Sequence, residues 1–495
     1  MQRAAKHLAC SSNQCVGNEA SALLRYALHD QLLILLKALF IMRQFSIFDL
    51  AASRLYVLLT GLLACSAAVA AQPRPLTTDG AVALAREKNR DLQIANLAVA
   101  KASQRTREAR GAALPTVSGY GQYLYNFQRP VSFLPGNFAG LAENQIATLR
   151  VGGDQAFVGS LGVYQPLFQA SVKSGIRAAG IDEVRGTAEV AVTASNVITS
   201  VRKAYLNVLI TQAQLRLQEQ SLSRNQQALR DARSLLLQGR ASRVDTLRAY
   251  VNVENLRPDI LRLSNGIAIA KTLLATTIGL EADEPLALQD SLYYDGQTPL
   301  PTSTQAYAEA LDKRPELRQL RLTQDLNEEQ IRQVRAAGRP QLAATGQLQT
   351  QAQAYNLRLG DYQWPVSSYL GVQVALPLYS GGRVLARAEQ ARITRQQTDR
   401  SLANQQEVIR AEVLIGVSSV QEARRRVESQ RQTVAAATLG YRITRDRWRA
   451  GMASRLDLAD AELALTLTKS GFLQAVYDYQ TATINLDRAV GRFTY

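Results

Sequence analysis

The sequence predicts an α+β membrane protein in which long coiled-coil helices carry short strand hairpins, and in which several chains share one β-barrel. Three observations predict it: an internal duplication, helices with a seven-residue apolar seam, and strand pairs with one polar and one apolar face. The duplication keeps its spacing. Leu92 and Pro115 recur at unchanged separation as Leu317 and Pro340, Gly239 and Asp245 as Gly451 and Asp457, and Asp245 and Gly279 as Asp457 and Gly491. A repeat this long is a structural unit duplicated. The offset between copies is larger up to the Pro115/Pro340 pair than from the Pro166/Pro377 pair onward. The first copy therefore holds a longer loop between Pro115 and Pro166.

The N-terminal stretch 1–71 does not share this pattern. Residues 1–41 read as an over-extended N-terminus ahead of Met42, and 42–71 as a secretory signal peptide. Arg54 precedes an apolar stretch from Leu55 to Ala64, and the small-residue run Ala67 to Ala71 supplies an Ala-x-Ala-like cleavage site near Ala70 or Ala71. A membrane anchor around Leu32 to Leu36 is a weaker alternative, because Lys37 and Arg43 interrupt it well short of about 20 apolar residues. Leu62-Leu63-Ala64-Cys65 loosely resembles a lipoprotein cleavage box, which makes Cys65 a candidate lipidation site, although Leu63 fits that box poorly.

Removing 1–71 removes Cys10, Cys15, Cys65, His7 and His29, which are all the cysteines and histidines of the chain. Disulfides, thiolate or imidazole metal ligands, cysteine nucleophiles and histidine acid–base chemistry are then excluded together. The remaining Asp and Glu form no paired-carboxylate signature, so no enzyme, metal or cofactor is expected. Net charge is +16 for the whole chain, and the basic excess persists once the leader is removed. A nucleic-acid surface would need clustering with aromatic platforms. The one dense run, Arg424-Arg425-Arg426, lies in a helical pattern between Glu422 and Glu428 and reads as a solvated face.

The first repeat spans 72–302: a helix near 78–113, a strand hairpin at 114–168, a helical hairpin at 170–279 and a linker at 280–302. The second spans 303–495: a helix near 303–338, a strand hairpin at 340–379 and a helical hairpin at 383–491. In the long helices one line recurs every seven residues: Val201, Val208, Leu215, Leu222, Leu229, Leu236, and again Val413, Val420, Val427, Val434, Tyr441, Trp448. Such a seam makes a left-handed coiled coil. The returning helices carry Val253, Ile260, Ile267, Leu274 and Leu465, Phe472, Tyr479, Leu486. The flanking line Ala204, Thr211, Gln218, Asn225 is small or polar, which suits a wall wetted on two sides. Each long helix spans on the order of 100 Å and each short one on the order of 55 Å, so two short helices end to end match one long one. Pro258 is expected to kink one short helix.

After Pro340, Gln341, Ala343, Thr345, Gln347, Gln349, Gln351 and Gln353 alternate with Leu342, Ala344, Gly346, Leu348, Thr350 and Ala352. The return strand places Ser368, Leu370, Val372, Val374 and Leu376 opposite Tyr369, Gly371, Gln373 and Ala375. The first repeat alternates likewise over 116–127, and Leu161 and Val163 precede Pro166-Leu167-Phe168. Strands of about 10 residues with one apolar and one polar face suit a transmembrane barrel with a watery lumen. Four strands cannot close one, and an open edge is not tolerated in lipid. Two chains would give 8 strands, a barrel filled by its own side chains, so a conducting pore calls for at least three chains.

These elements resemble the TolC-like outer membrane efflux family over nearly all of 76–495. The resemblance rests on Leu76-Thr77 through Ala81-Val82, Ala85, Asn89 and Leu92; on Leu114-Pro115 and Arg339-Pro340 before strands; on Pro166-Leu167-Phe168 and the run Pro377 to Gly382 after them; and on the tips Gly239 to Asp245 and Gly451 to Asp457. It implies a homotrimer with a 12-stranded outer-membrane barrel, four strands per chain, that continues into a periplasmic helical tunnel. It further implies a periplasmic adaptor and an inner-membrane pump as partners, and a passive exit duct for small molecules or secreted polypeptides, with no chemistry of its own. By the same resemblance, Asp457 and Asp460 fall at acidic-ring positions of a periplasmic gate, Asp245 at a tethering carboxylate and Trp448 at an aromatic gate position.

Two roles fit each of these residues. Asp245 and Asp457 also stand near helix starts, where a carboxylate is favourable without any gate, and Trp448 also completes the seam from Val413. Ala453 stands where relatives carry a tethering arginine, so a tether here would come from Arg455, Arg243 or Arg240. Gly239 and Gly451 serve the helix-to-helix turn. With Ala241, Ser242, Ala453 and Ser454 they make small-residue tips into which adaptor hairpins could fit. A soluble periplasmic coiled-coil scaffold or adaptor is the competing reading; it accounts for the heptads but not for the two-faced strand hairpins.

Overall fold

The computed structural model describes residues 74–140, 142, 145–296 and 299–493. The leader, with the cleavage and lipidation positions around Cys65, lies outside the described residues. In chain order the elements are β1 (Arg74–Leu76), α1 (Thr78–Lys88), α2 (Arg90–Gly111), β2 (Thr116–Tyr125), β3 (Val131–Pro135), β4 (Ile146–Arg150), β5 (Gln155–Phe168), α3 (Ala170–Leu237) and α4 (Arg243–Ile278). The second repeat follows with β6 (Leu286–Leu288), α5 (Ser303–Lys313), α6 (Pro315–Ala336), β7 (Gln341–Ala354), β8 (Val366–Ala375), α7 (Arg383–Arg449) and α8 (Arg455–Val490).

The helices are held by the seam. Val201, Val208, Val413, Val420 and Val427 are fully buried, and the other members of both lines are mostly buried or half-buried. Full burial of one such side chain stabilises by about 1.5–3 kcal/mol, and the seam shares this burial with Val197, Ile198, Tyr205 and Leu209 of α3 and with Ile409 and Val417 of α7. α3 has 68 residues, about 100 Å at 1.5 Å per residue. It packs against α2 and α6 along one stretch and against α4 and α8 along the rest. The flank expected to be wetted is in part covered. Asn225 is buried, because α8 of the second repeat lies across that side of α3. Pro258 sits inside α4 without interrupting it.

The two helices expected as single pieces near 78–113 and 303–338 are each broken, at Asn89 and Arg314, whose backbones are extended. The breaks fall at equivalent positions but are made differently. Asn89 caps α2 by accepting from the backbone N–H groups of Asp91 and Leu92, and its Nδ2 donates to the Thr277 carbonyl at 2.8 Å. Arg314 precedes Pro315, which starts α6, and donates to the Arg488 carbonyl at 3.0 Å and to Glu412 at 2.8 Å. Each break thus grips the last turn of a returning helix beside its closing glycine. A Cβ at Gly279 would collide with the Lys88 carbonyl, and one at Gly491 would lie 3.0 Å from the Lys313 carbonyl carbon.

The main sheet has the order β2-β5-β7-β8, all antiparallel, with β5 joined to β7 across the repeats. The register places Thr116, Ser118, Tyr120 and Gln122 on the same face as Gln347, Gln349, Gln351, Tyr369 and Gln373. The other face carries Val117, Leu161, Val163, Leu348, Leu370, Val372 and Val374. Aromatic rings gather at one end of this apolar face, with Tyr123 against Phe157 at 4.8 Å and Tyr362 and Trp364 within about 6 Å of the same ring. β2 and β8 are edges of this sheet. The extra residues of the first repeat fold as a separate hairpin, β3 with β4. The linker is bound as well, since β6 pairs in parallel with β1. Among the described residues no helix is long and apolar enough to cross a membrane.

Candidate functional site

The two helical tips are built on one frame, Gly-x-x-Ser-x-x-Asp. After α3, Gly239 takes φ +73°, and Gly239 and Arg240 donate to the Leu236 and Leu235 carbonyls at 2.9 and 2.8 Å. After α7, Gly451 takes φ +78°, and Gly451 and Met452 donate to the Trp448 and Arg447 carbonyls at the same distances. Among the described residues no atom lies within 4 Å of a Cβ built at Gly239, so this glycine is required for its backbone angle and not for space.

Each returning helix then begins with a capping box. Ser242 Oγ accepts from the Asp245 N–H at 3.1 Å, while Asp245 Oδ2 accepts from the Ser242 N–H at 3.3 Å. In the second tip the Asp457 N–H donates to Ser454 Oγ at 3.1 Å, and the Ser454 N–H to Asp457 Oδ2 at 2.8 Å. These bonds satisfy N–H groups that a helix start leaves unpaired. The Ser454 N–H and hydroxyl hold the Asp457 carboxyl below the usual carboxylate range. Both aspartates therefore have a structural task in the turn. Asp460 is exposed one turn further along α8.

Equivalent arginines behave differently. Arg243 is exposed, whereas Arg455 is only 8% exposed, its guanidinium 6.0 Å from the Trp448 ring centre. Burial lowers its basicity, and the negative charge of Asp245 acts in the opposite sense. Its Nε and one Nη are buried without a hydrogen-bond acceptor. Trp448 is itself buried with Ala228 of α3 and Leu458 of α8, and Tyr441 and Ala453 pack against this group. The second tip is thus folded onto the first repeat. Ala241 and Ala453 are half-buried, so the exposed small positions of the tips are Gly239 and Gly451 and the two capping serines, Ser242 and Ser454.

One more contact fastens the repeats together. Arg224 Nε of α3 lies 2.8 and 2.9 Å from the two carboxylate oxygens of Glu462 on α8; Ser221 Oγ donates to Glu462 at 3.0 Å, and Thr466 closes the group. Both charged side chains are largely buried. No local pattern marks this pair, whose members belong to different repeats. The capping boxes, by contrast, carry a local signal, Ser-x-x-Asp before an apolar run, which marks Ser242 and Ser454 as N-caps and not only as small tip residues. Among the described residues no cluster of His, Cys, Asp or Glu could hold a metal ion.

A family model described as "Outer membrane efflux protein" matches residues 81–280 and 306–492. The alkaline protease secretion protein AprF of Pseudomonas aeruginosa is 27% identical over 344 residues, 67% of this chain and 69% of that protein. The cation efflux system protein CusC of Escherichia coli K12 is 22% identical over 413 residues, 81% of this chain and 84% of that protein. The crystal structure of the outer membrane protein VceC from Vibrio cholerae matches with a TM-score of 0.67 at 17% identity, covering 84% of this chain and 96% of that one.

Proposed function

The chain belongs to the outer membrane efflux protein family, and from that premise we propose that three copies assemble through their sheet edges into a tripartite export system. The protein is an outer-membrane exit duct that extends into the periplasm. In the trimer β2 of one copy pairs with β8 of the next, closing 12 strands with the glutamine-rich face toward the lumen and the Val/Leu face, with its aromatic cluster, toward lipid. The single observation that carries this reading is the four-stranded sheet with two faces and two open edges. A soluble scaffold would leave the apolar face wet.

The helical tips form the periplasmic gate. Arg455, buried over Trp448 and stabilised in its charge by Asp245, supplies the tether that Ala453 cannot. Asp457 and Asp460 of the second tip and Arg243 of the first set the field at the opening. The glycine turns with Ala241, Ser242, Ala453 and Ser454 receive the hairpins of a periplasmic adaptor, which connects to an inner-membrane pump. That pump selects the cargo, protein or small solute. The duct itself performs no catalysis and carries no cofactor.

Beyond the leader the chain contains no cysteine, so paired cysteines report assembly cleanly. With Ser118→Cys and Ser367→Cys in one chain, both on the glutamine face, oxidation of outer-membrane extracts is expected to yield a ladder ending at the trimer. A protein found in the soluble periplasm, with no ladder, would overturn the reading.

A further inference from the structure

Between 230–250 and 442–460 the tips hold ten arginines and five aspartates, with no lysine and no glutamate. Most of the aspartates are occupied. Asp245 and Asp457 bind their capping serines, Asp231 is reached by Arg449 at 3.8 Å and Asp446 by Arg445 at 2.9 Å. Arg233, Arg240, Arg243, Arg248 and Arg442 are exposed, and none has a carboxylate within 4.0 Å among the described residues.

A helix dipole accounts for only some of these charges. Arg447 and Arg449 lie in the last turn of α7, where a cation is favoured. Arg240 stands in the turn and Arg248 in the second turn of α4, beyond the reach of a helix end, while Arg243 is the first residue of α4, where a cation is disfavoured by roughly 0.3–1 kcal/mol. No ion pair among the described residues compensates that placement. The exclusive use of arginine suits planar, two-pronged binding of carboxylates. Apolar side chains stand among them: Leu237 is 90% exposed and Met452 65%, with Val244 and Leu456 exposed beside them. A small anion passing through would leave these uncovered, whereas a protein surface covers both.

We propose that the tips form an arginine collar that docks an acidic partner: the adaptor hairpin bound here carries aspartate or glutamate beside apolar residues at its tip. This rests on the reading that the tips dock an adaptor. Binding through such a collar is fast and strongly weakened by salt.

The test uses the full-length protein in detergent and three disulfide-closed helical-hairpin peptides, identical except for Glu, Gln or Lys beside leucine at the tip. The Glu hairpin is expected to bind at least tenfold tighter than the Gln hairpin, to weaken severalfold between low and high salt, and to fall to the Gln level on the variant Arg233→Gln/Arg240→Gln/Arg243→Gln/Arg248→Gln. The corresponding Arg→Glu variant, checked for heat-stable assembly, is expected to prefer the Lys hairpin. Equal binding of Glu and Gln hairpins, no binding by any hairpin, or equally tight binding of anionic vesicles overturns the proposal. A second measurement separates it from adaptor docking itself. Photo-crosslinking residues at Leu237 and Met452 in cells should trap an adaptor through an acidic segment, identified by mass spectrometry. An adaptor trapped through a neutral or basic segment overturns the collar but leaves tip docking standing; no adaptor at either position overturns both.

Discussion

The two tips share a backbone frame and differ in what lies beneath it. Gly239 matches Gly451, Ser242 matches Ser454 and Asp245 matches Asp457 at one constant offset, and their turns and caps are made by the same hydrogen bonds. Beneath the first tip Leu236 is half-buried; at the equivalent place in the second, Trp448 is buried against α3. That ring draws Arg455 inward, while its equivalent Arg243 stays in water. Duplication therefore preserved the turn and reassigned its neighbours. The second tip leans on the first repeat through Trp448 and Glu462, whereas the first carries exposed charge.

Removing one side of the Arg224–Glu462 pair breaks this dependence most severely. Arg224→Ala leaves a buried carboxylate uncompensated, at a cost of about 3–5 kcal/mol. Hydrogen exchange at 455–470 should rise accordingly, and an Arg224→Met/Glu462→Leu double variant should recover much of the loss. The next contrast is between equivalent seam residues. Trp448→Ala is expected to cost about 3–5 kcal/mol as a buried aromatic, and Leu236→Ala about 1 kcal/mol in proportion to its partial burial. Equal effects, read as local exchange at the two tips, would show that the difference between Trp448 and Leu236 does not govern stability.

Changes to the shared frame should instead act alike on both tips. Gly239→Ala and Gly451→Ala each force a side chain into the left-handed region and should cost about 1–2 kcal/mol, and Ser242→Ala and Ser454→Ala about 1 kcal/mol each. Unequal losses would mean that the caps are not equivalent. The smallest effect is one of pH. Asp457 titrates below its ordinary value because Ser454 binds its charged form. Its contribution is present above the ordinary carboxylate range and is lost as pH falls through the lowered folded value. Amide exchange at Ser454 should quicken over that acid range, and Asp457→Asn should abolish the dependence.

Much of this molecule was legible because its signals are local and periodic. A valine every seven residues specifies a helix and its buried line together, and the alternation of glutamine with small or apolar residues after Pro340 specifies a two-faced strand. Gly-x-x-Ser-x-x-Asp likewise marks a turn and a cap within seven residues. The break at Asn89 was not legible in this way, since asparagine can sit in a helix, whereas Arg314-Pro315 carries a local signal, because proline disfavours helical backbone in the residue before it and is favoured at the first helical position. What no local signal records is the remote partner that each break holds, the Thr277 carbonyl for Asn89 and the Arg488 carbonyl for Arg314.

By itself, then, the sequence determined the repeat, the helices, the strand faces and the tip frame, for each depends on residues within a turn or two of one another. Only the tertiary structure decided that Trp448, placed in the seam by its heptad, also meets Ala228 of the first repeat, that Arg455 and Arg243 part company, and that Arg224 meets Glu462. Those outcomes depend on which helix of the other repeat lies alongside, and no periodicity within one helix records the face its distant neighbour will cover.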